Sequence, residues 1–537
     1  MASEDTAKPQ TSGDLFQRRA TGLLRGWSVW DAFIYSAFSI NLITLGLYIF
    51  SSAPFIPKGG LIWAIVLSGL YLVFQAITYA SLIAVMPRAG GDYVWTSRIL
   101  GGGPGFVLAV TGWWFILWHW VPIYANILNI EVFIPLSTIL GLGGIAGFFA
   151  TKTGLFVSSL IVAALASLYI SLGMRTYARI QKYCFYGGLV GLAVMMLVLL
   201  FHSHADFVSA FNAQARQLYG ASGDAYQKTL SAGKVPGASP GGSAFYPTLL
   251  LIPMVVFFNL WSNWGATLYG EVRGASDFRK NIYAMGGALL ATTVAAVVLL
   301  LLFAKTFGWG FYYAANNAYW SGKGPVSDWP YPGMLAAFFF DNPVLQFILV
   351  GLLALWFFGW VGTVFLSSTR VVFATAFDRL LPEAVARTSR NGVPYVALLL
   401  MLVPSIVVSY FYAFGKNFAG YTLDATLVIS ITFLGSAVAA AILPWRRPEI
   451  YNASPIARYR IFGIPLITVS ATAFAVFLLF CLYEWVVRPV YAVNSTSSII
   501  YMLILYAVAL VLYVGFRIYR RSQGIDMSMV YSEIPED

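Results

Sequence analysis

The chain has 537 residues, of which 59% are hydrophobic and only 10% charged, and its mean hydropathy is +0.76. Soluble domains contain about 25% charged residues, so this composition excludes a soluble protein and indicates a polytopic membrane protein. The two cysteines, Cys184 and Cys481, lie in apolar runs and cannot form a disulfide framework. The net charge of +11 follows from basic residues in the connections between apolar runs, so we expect a topology signal and no nucleic acid partner.

Apolar runs predict about twelve membrane-spanning helices. They lie near 29–51, 60–86, 105–138, 154–173, 181–202, 246–271, 282–304, 344–377, 395–414, 421–444, 463–487 and 497–518. With the N terminus inside, most of the 32 Lys and Arg residues face the cytoplasm, as the positive-inside rule requires. We therefore predict a cytoplasmic N-terminal segment (1–28), a transmembrane domain (29–518) and a cytoplasmic tail (519–537) in the cell membrane. No cleavage site follows residues 1–28, so we expect the first span to be retained.

Two long connections are predicted on the external side. The first, over 203–245, is rich in Ala, Gly and Ser, which predicts a flexible segment. The second, over 305–343, is rich in aromatic residues and glycine (TFGWGFYYAANNAYW), which favours the membrane interface.

Two spans carry polar residues and helix breakers in an otherwise apolar run. Residues 257–271 read FFNLWSNWGATLYGE, and the first span contains YSAFSINLITLGLYIF. Irregular backbone at membrane depth is tolerated only beside protein or a cavity, although small and polar residues also serve simple helix packing. Interrupted spans at matched positions are typical of transporters built from inverted repeats. The sequence predicts an all-α, five-plus-five inverted-repeat core with interrupted helices 1 and 6, inferred from polarity because the halves share no residue-level identity.

Two further segments carry a family resemblance. They are MPRAGGDYVWTSRILG at 86–101 and SSTRVVFATAFDRLLPEAVARTSRNGVP at 367–394, both on the predicted cytoplasmic side. Together with the stretch at 257–271, they resemble the signatures of the amino acid–polyamine–organocation permeases over roughly residues 25–520. The resemblance implies a leucine-transporter-type fold and secondary active transport of amino acids by alternating access.

The chain also departs from the family pattern. The family breaks span 1 at a Gly-x-Gly, whereas counting from the flanking residues places Leu42-Ile43-Thr44 there. Leu and Thr take positive φ less readily than Gly, so either the break shifts to Ser39–Asn41 or the ligand binds differently. In span 6 the family's Gly-Phe becomes Asn263-Trp264. The lysine of a proton-coupled subset corresponds to Gly188, which disfavours that mechanism here.

An interrupted helix offers free N–H groups at one half-helix start and free C=O groups at the other half-helix end, which suits a zwitterion. We expect the backbone of both breaks to bind substrate, with the asparagines supplementing it. Helix packing is the alternative reading of each asparagine. His119 is a candidate for substrate contact or proton coupling, because ionisable residues at membrane depth are functional hypotheses by default. The predicted substrate-binding residues are Ser39, Ile40, Asn41, Thr44, His119, Asn259, Leu260, Trp261, Ser262, Asn263 and Gly265.

The resemblance implies a coupling ion, H⁺ or Na⁺, and no other cofactor. Hydroxyls in span 8 are the candidate sodium ligands, with back-bonding to their own helix as the alternative; they are Thr363, Ser367 and Ser368. We also predict an inner network of ion pairs that changes between transport states. The alternative is that these charges only orient the helices in the membrane, as the positive-inside rule describes. The candidates for the network are Arg88, Arg98, Arg370, Asp378 and Arg379.

No carboxylate is placed clearly at the midplane of a span, so neutral or hydrophobic amino acids are favoured over polyamines and other organic cations. A membrane-embedded enzyme is the remaining class. It would depend on His202-Ser-His204-Ala-Asp206 as metal ligands, and external polar residues explain that stretch better, so no metal is predicted. We expect an amino acid substrate, contact with membrane lipid, and a monomer or homodimer.

Overall fold

The computed structural model describes residue 23, residues 26–415 and residues 421–531. Most of the predicted N-terminal segment 1–28 and the last residues of the tail lie outside the described residues. Within the described part, twelve segments are long and apolar enough to cross a membrane, which confirms an all-α, multi-pass protein. We number them helices 1 to 12: Val29–Phe50, Leu61–Val85, Gly102–Ile139, Lys152–Ser171, Met174–Phe201, Phe245–Glu271, Phe278–Trp320, Pro343–Phe377, Tyr395–Phe414, Leu423–Arg446, Leu466–Val487 and Thr496–Ser522.

Short elements lie between the helices and, in the case of Met527–Val530, after the last one. The α-helical ones are Asp92–Ile99, Gly143–Phe149, His204–Tyr219, Ala225–Ala232, Pro332–Ala337, Pro448–Asn452 and Met527–Val530. Single 3₁₀ turns lie at Ala53–Phe55, Glu383–Ala386, Pro455–Arg458 and Pro489–Tyr491. Strands Arg460–Ile461 and Ile464–Pro465 pair in antiparallel fashion, with Arg460 opposite Pro465 and Ile461 opposite Ile464.

Helices 1 and 3 form the centre of the bundle. Their most apolar windows are 89% and 83% buried inside the protein, against 17% for helix 12 at the periphery. Helix 1 packs against helices 6 and 7, helix 5 against helix 8, and helix 10 against helix 11. Because helix 1 is enclosed on all sides, its polar residues meet other protein groups and not lipid, which permits an irregular backbone there.

Helix 1 begins at a capping box. The Ser28 hydroxyl accepts a hydrogen bond from the Asp31 backbone N–H at 3.2 Å, and the Ser28 N–H donates to the Asp31 carboxylate at 2.7 Å. This reciprocal arrangement satisfies two N–H groups that a helix start leaves without partners. Asp31 also pairs with Lys182 of helix 5 at 2.8 Å, which fixes the start of helix 1 against its neighbour.

The prediction of a flexible segment over 203–245 is wrong for more than half of its residues. His204–Tyr219 and Ala225–Ala232 are helices. They pack with Trp309–Trp320 and Pro332–Ala337 into a layer over one end of the bundle, which we call the cap. Its aromatic rings turn inwards: Phe311 stacks on Tyr226 with centroids 4.8 Å apart. Composition suggested flexibility, whereas buried aromatic pairs order the segment.

Helix 5 begins at Met174, earlier than the predicted residue 181. The added turns, residues 174–180, carry Arg175 and Arg179, so the helix begins before the apolar run does. The five-plus-five inverted repeat stays a prediction.

A close approach between Ser97 and Gly105 joins the first connecting helix to helix 3. A Cβ on Gly105 would lie 2.5 Å from the Ser97 backbone nitrogen and Cα. We expect Gly105→Ala to lower the free energy of unfolding by about 1–3 kcal/mol, because backbone atoms cannot yield to the new methyl group. Thermal unfolding in detergent measures the effect. Gly351→Ala is the matched control, since a Cβ there meets nothing within 4 Å; equal stability of the two variants would contradict the prediction.

Candidate functional site

Helix 1 is interrupted at Asn41. This residue has φ 54° and ψ 80°, in the left-handed region, after the α-helix Val29–Ile40 ends. Asn is one of the few residues besides Gly that visits this region readily, because its short side chain bonds locally. Here the Asn41 Oδ1 accepts from the Thr44 backbone N–H at 3.1 Å and starts a π-helical turn over Leu42–Gly46. The break therefore lies one residue before the Leu42-Ile43-Thr44 triplet.

Helix 6 changes its winding at Asn259. The α-helix Phe245–Asn259 ends there, and Leu260–Glu271 continues as an unusually long 3₁₀ helix. Gln75 of helix 2 supports the change: its Nε2 donates to the Leu260 carbonyl at 2.7 Å, and its Oε1 accepts from the Ser262 hydroxyl at 3.2 Å. Runs of 3₁₀ helix longer than three or four residues are uncommon and mark hinges or strained sequences.

The two irregular points lie side by side. A Cβ on Gly46, just after the helix 1 break, would meet the Phe258 ring at 3.0 Å. A Cβ on Gly265, after the helix 6 change, would meet the Tyr35 ring at 3.1 Å. Helices 1 and 6 thus pass each other in opposite directions at the same depth. The break of helix 1 and the change of winding in helix 6 therefore lie next to each other.

Several buried polar atoms in this region lack hydrogen-bond partners among the described residues. They are Asn41 Nδ2, Thr44 Oγ1, Asn259 Oδ1, and Nδ2 and Oδ1 of Asn263. Leaving a buried polar group unsatisfied costs about 1–3 kcal/mol, and such groups in a native structure require an explanation. Amide nitrogens donate and amide oxygens accept, so the set can take both a carboxylate and an ammonium group.

Four tryptophans of helices 3 and 6 pack together beside the change of winding in helix 6. Trp261 and Trp264 of helix 6 lie 5.2 and 5.9 Å from Trp120 of helix 3, and Trp113 lies 4.5 Å from Trp264, between ring centroids. Ser39, Ile40, Asn41, Thr44, Leu260, Trp261 and Asn263 are each at most 3% exposed. The region is closed to solvent in this conformation, and its lining side chains carry no charge.

The sequence of the chain matches a known protein family. Residues 28–510 match the amino acid permease family, well over half of the chain. The chain belongs to the amino acid permease family. It is therefore a multi-span membrane transporter and not an enzyme, and amino acids are the substrates that the family implies. No sequence in the comparison with curated proteins matched this permease.

Not every predicted site residue reaches the breaks of this permease. His119 Nε2 lies 2.5 Å from the hydroxyl of Tyr501 on helix 12, whereas its neighbour Trp120 faces helix 6. Adjacent helical residues cannot face the same partner. The side-chain amide of Asn259 is only half satisfied. Its Nδ2 donates to the Ser68 hydroxyl at 2.7 Å, whereas its Oδ1 has no hydrogen-bond partner among the described residues.

Sequence reasoning missed Trp264 as a site residue. Its Nε1 donates to the Thr363 carbonyl of helix 8 at 3.0 Å, and its carbonyl accepts from the Ser367 hydroxyl at 2.7 Å. The residue lay within the polar stretch at 257–271, so position was a usable signal. Its contacts with helix 8, about a hundred residues away along the chain, were not readable from the sequence.

Two of the candidate sodium ligands are engaged in hydrogen bonds. The Thr363 hydroxyl donates to the Trp360 carbonyl at 2.7 Å and lies 3.0 Å from the Tyr124 hydroxyl. The Ser367 hydroxyl also lies 2.9 Å from the Tyr35 hydroxyl, joining helices 1 and 8. Ser368 Oγ is buried without a partner among the described residues. Sodium binding by these residues stays a prediction.

The predicted inner network consists of two separate buried ion pairs. Arg98 forms a bidentate pair with Asp378, whose carboxylate also accepts from the Tyr93 hydroxyl at 2.8 Å. Arg370 pairs with Glu271 at the end of helix 6, with nitrogen–oxygen distances of 2.7 and 3.1 Å. Glu271 was not among the predicted members of this network, although its position near the predicted cytoplasmic end of span 6 was the available signal.

The other two predicted members, Arg88 and Arg379, also make backbone contacts, and the Arg88 side chain donates to the Pro87 carbonyl at 3.4 Å. The Arg379 residue has φ 64°, and its carbonyl accepts from Nε of Arg520 at 2.7 Å. The Arg88 backbone N–H donates to the Met86 carbonyl at 2.9 Å, within the turn that leads to Gly90. Gly90 donates to the Thr267 carbonyl of helix 6 at 2.9 Å, so this turn closes against the same helix as Glu271.

His204, one of the two histidines considered as metal ligands, has a structural role in the cap. Ser203 and Asp206 form a capping box at the start of the helix His204–Tyr219. His204 Nδ1 lies 3.0 Å from the Thr306 carbonyl, and its Nε2 lies 3.1 Å from the Tyr226 hydroxyl. Both ring nitrogens are thus used in packing the cap.

Proposed function

We propose that this permease moves neutral amino acids across the cell membrane by alternating access, with the substrate bound at the breaks of helices 1 and 6. The observation that carries the proposal is the set of unpaired, buried, uncharged polar atoms beside the break of helix 1 and the change of winding in helix 6. A zwitterionic amino acid supplies a carboxylate and an ammonium group that would satisfy them. Both termini face the cytoplasm in this scheme, as the distribution of Lys and Arg predicts.

The substrate carboxylate fits the start of the second half of helix 1. The first N–H groups of a half-helix lack intrahelical partners, and the dipole there favours negative charge. Asn41 Nδ2 adds a side-chain donor at the same point. The ammonium group fits the carbonyl end of Phe245–Asn259, with Asn263 Oδ1 as an additional acceptor.

The substrate side chain then faces the tryptophans. Trp120, Trp261 and Trp264 present apolar ring faces and edges, which favour an apolar or aromatic side chain. A polyamine or other organic cation is the alternative substrate. It would place an extra positive charge among uncharged lining groups, at a cost of several kcal/mol without a carboxylate partner.

Ligand-induced thermal stabilisation tests this function. The purified permease is screened with the twenty amino acids and putrescine, with and without Na⁺. A ligand at about a hundred times its Kd stabilises the folded state by about 2.7 kcal/mol. We expect neutral amino acids to give the largest shifts, and Asn263→Ala to weaken binding at least about tenfold, because hydrogen bonds to charged groups contribute about 1.5–3 kcal/mol.

Asn281→Ala is the matched control. Asn281 is also buried, but its Nδ2 donates to the Ala275 carbonyl at 2.7 Å in an ordinary packing contact. This variant should be less stable and still show the full ligand shift. A shift with putrescine alone would favour the organic-cation alternative, and the absence of any shift would reject both.

A further inference from the structure

Asp92 is a buried carboxylate at the predicted cytoplasmic side of the breaks. It starts the connecting helix Asp92–Ile99, outside the membrane spans, and is fully buried. Its Oδ1 accepts from the Tyr79 hydroxyl of helix 2 and the Ser436 hydroxyl of helix 10, both at 2.6 Å. Its Oδ2 accepts from Trp113 Nε1 of helix 3 at 3.1 Å. One carboxylate therefore joins three spans.

These three donors are neutral, and the nearby cations have carboxylate partners of their own. The elements around Asp92 carry further ionisable groups besides Tyr79: Tyr71, Tyr93, Arg98, His119, Tyr124, Glu131, Tyr269, Glu271, Arg370, Asp378, Asp424 and Arg446. Arg98 pairs with Asp378 and Arg370 with Glu271, while Asp424 and Arg446 lie at the two ends of helix 10. Burial raises the pKa of Asp92 to about 6, against the lowering effect of its three donors.

The hydrogen bonds of Asp92 must change when it binds a proton. An ionised carboxylate only accepts, whereas a protonated one has an O–H that needs an acceptor. The indole N–H of Trp113 can only donate, so a hydroxyl of Tyr79 or Ser436 must turn round and accept. The hydrogen bond to Tyr79 is one that can reverse without moving a heavy atom.

Tyr79 connects this change to the substrate region. Its hydroxyl lies beside the side chain of Asn263, whose oxygen and nitrogen have no hydrogen bond of ordinary geometry among the described residues. When protonated Asp92 donates to the Tyr79 oxygen, the Tyr79 O–H no longer points at Asp92 and can turn towards the Asn263 amide. Trp113 gives a second connection, since its ring packs on Trp264 at 4.5 Å.

We infer that Asp92 binds the proton that is coupled to transport, and that Tyr79 transmits its protonation state to Asn263. The inference rests on the proposed amino acid transport and names its coupling ion. The proton comes from solution on one side of the membrane and forms the O–H bond of the Asp92 carboxyl group. That bond breaks again when the carboxyl group releases the proton to solution on the other side of the membrane.

Transport in proteoliposomes tests the coupling. The full chain is reconstituted, the membrane potential is clamped, and a mixture of tritiated neutral amino acids serves as the probe. With an acidic exterior, coupling of one proton allows accumulation up to about tenfold for each pH unit. The readout is the amino acid accumulation driven by the pH gradient, divided by the accumulation in counterflow. We expect Asp92→Asn and Tyr79→Phe to lower this ratio towards one. Asp92→Glu keeps a carboxyl group and should retain part of the accumulation.

Asp424→Asn is the matched control, because Asp424 is also buried but lies at the far end of helix 10. It should leave the ratio unchanged. Accumulation by Asp92→Asn at the wild-type ratio would overturn the inference. Failure of the wild type to exchange any amino acid would instead reject the proposed function.

A ligand-free measurement keeps the inference testable in either case. The pKa of Asp92 is higher in the folded protein, about 6 against 3.8, so its contribution to stability is complete below about pH 4 and is lost as the pH rises through about 6. We expect the melting temperature of the wild type, relative to Asp92→Asn, to fall by about 2–4 °C over this interval. A flat difference would show that folded Asp92 binds no proton in this range and would overturn the inference.

Discussion

Replacing Glu271 by Gln is expected to lower the free energy of unfolding by about 3–5 kcal/mol. Glu271 and Arg370 form a bidentate pair in which both side chains are at most 1% exposed. Removing one charge leaves the other buried without its partner, and this uncompensated charge accounts for most of the loss. Thermal and chaotrope unfolding of the purified permease in detergent measures the change.

Two controls separate the buried charge from other effects. In the double variant Glu271→Leu, Arg370→Met, no charge is left unpaired, so stability should return to within about 1–2 kcal/mol of the wild type. Lys280→Ala removes the partner of Asp277 in an exposed pair, which should cost about 1 kcal/mol or less. A single Glu271→Gln variant that is as stable as Lys280→Ala would show that Arg370 has another partner.

The second large effect is expected at Asn41. Asn41→Ala places an ordinary side chain at φ 54° and removes the cap on Thr44. Left-handed backbone costs a residue with a Cβ about 1–2 kcal/mol, and losing an N-cap side chain costs about 0.5–2 kcal/mol. The free energy of unfolding should therefore fall by the sum of the backbone cost and the loss of the cap. Binding of the best neutral amino acid should weaken in parallel, because the break would shift or straighten.

Asn41→Gly is the comparison that isolates the backbone term. Glycine takes positive φ at little cost, so this variant loses the cap alone and should be more stable than Asn41→Ala by about 1 kcal/mol. The decisive result is which of the two variants has the higher free energy of unfolding. An alanine variant as stable as the glycine variant would mean that helix 1 does not require left-handed backbone at this position.

The ion pairs and the helix breaks together describe a closed permease. The Arg98–Asp378 and Arg370–Glu271 pairs are buried at the predicted cytoplasmic end, and the tryptophans enclose the breaks. We propose that opening towards the cytoplasm hydrates both pairs, so that their net contribution in the closed state is small compared with the cost of separating them inside the protein. Such pairs can part when water enters, which suits groups that alternate between closed and open states.

Sequence alone determined the class of the protein and the approximate place of its site. Apolar runs gave twelve spans, and the motifs at 86–101 and 367–394 indicated the permease family. Polar residues in two apolar spans indicated irregular backbone near Ser39–Thr44 and Leu260–Gly265, and the structure has it at Asn41 and from Asn259 onwards. These features are local in the chain: hydropathy needs about twenty consecutive residues, and an asparagine at a helix break acts on residues three or four positions away.

Tertiary structure decided which of these residues face one another. Ser262 is bonded to Gln75, His119 lies against Tyr501, and Glu271 rather than a nearer acid pairs with Arg370. Each partner is between about a hundred and four hundred residues distant, and polarity cannot tell a packing contact from an unsatisfied group. Asp92 shows the same limit, because a carboxylate in a polar motif acquires its chemistry only when helices 2, 3 and 10 bury it among neutral donors.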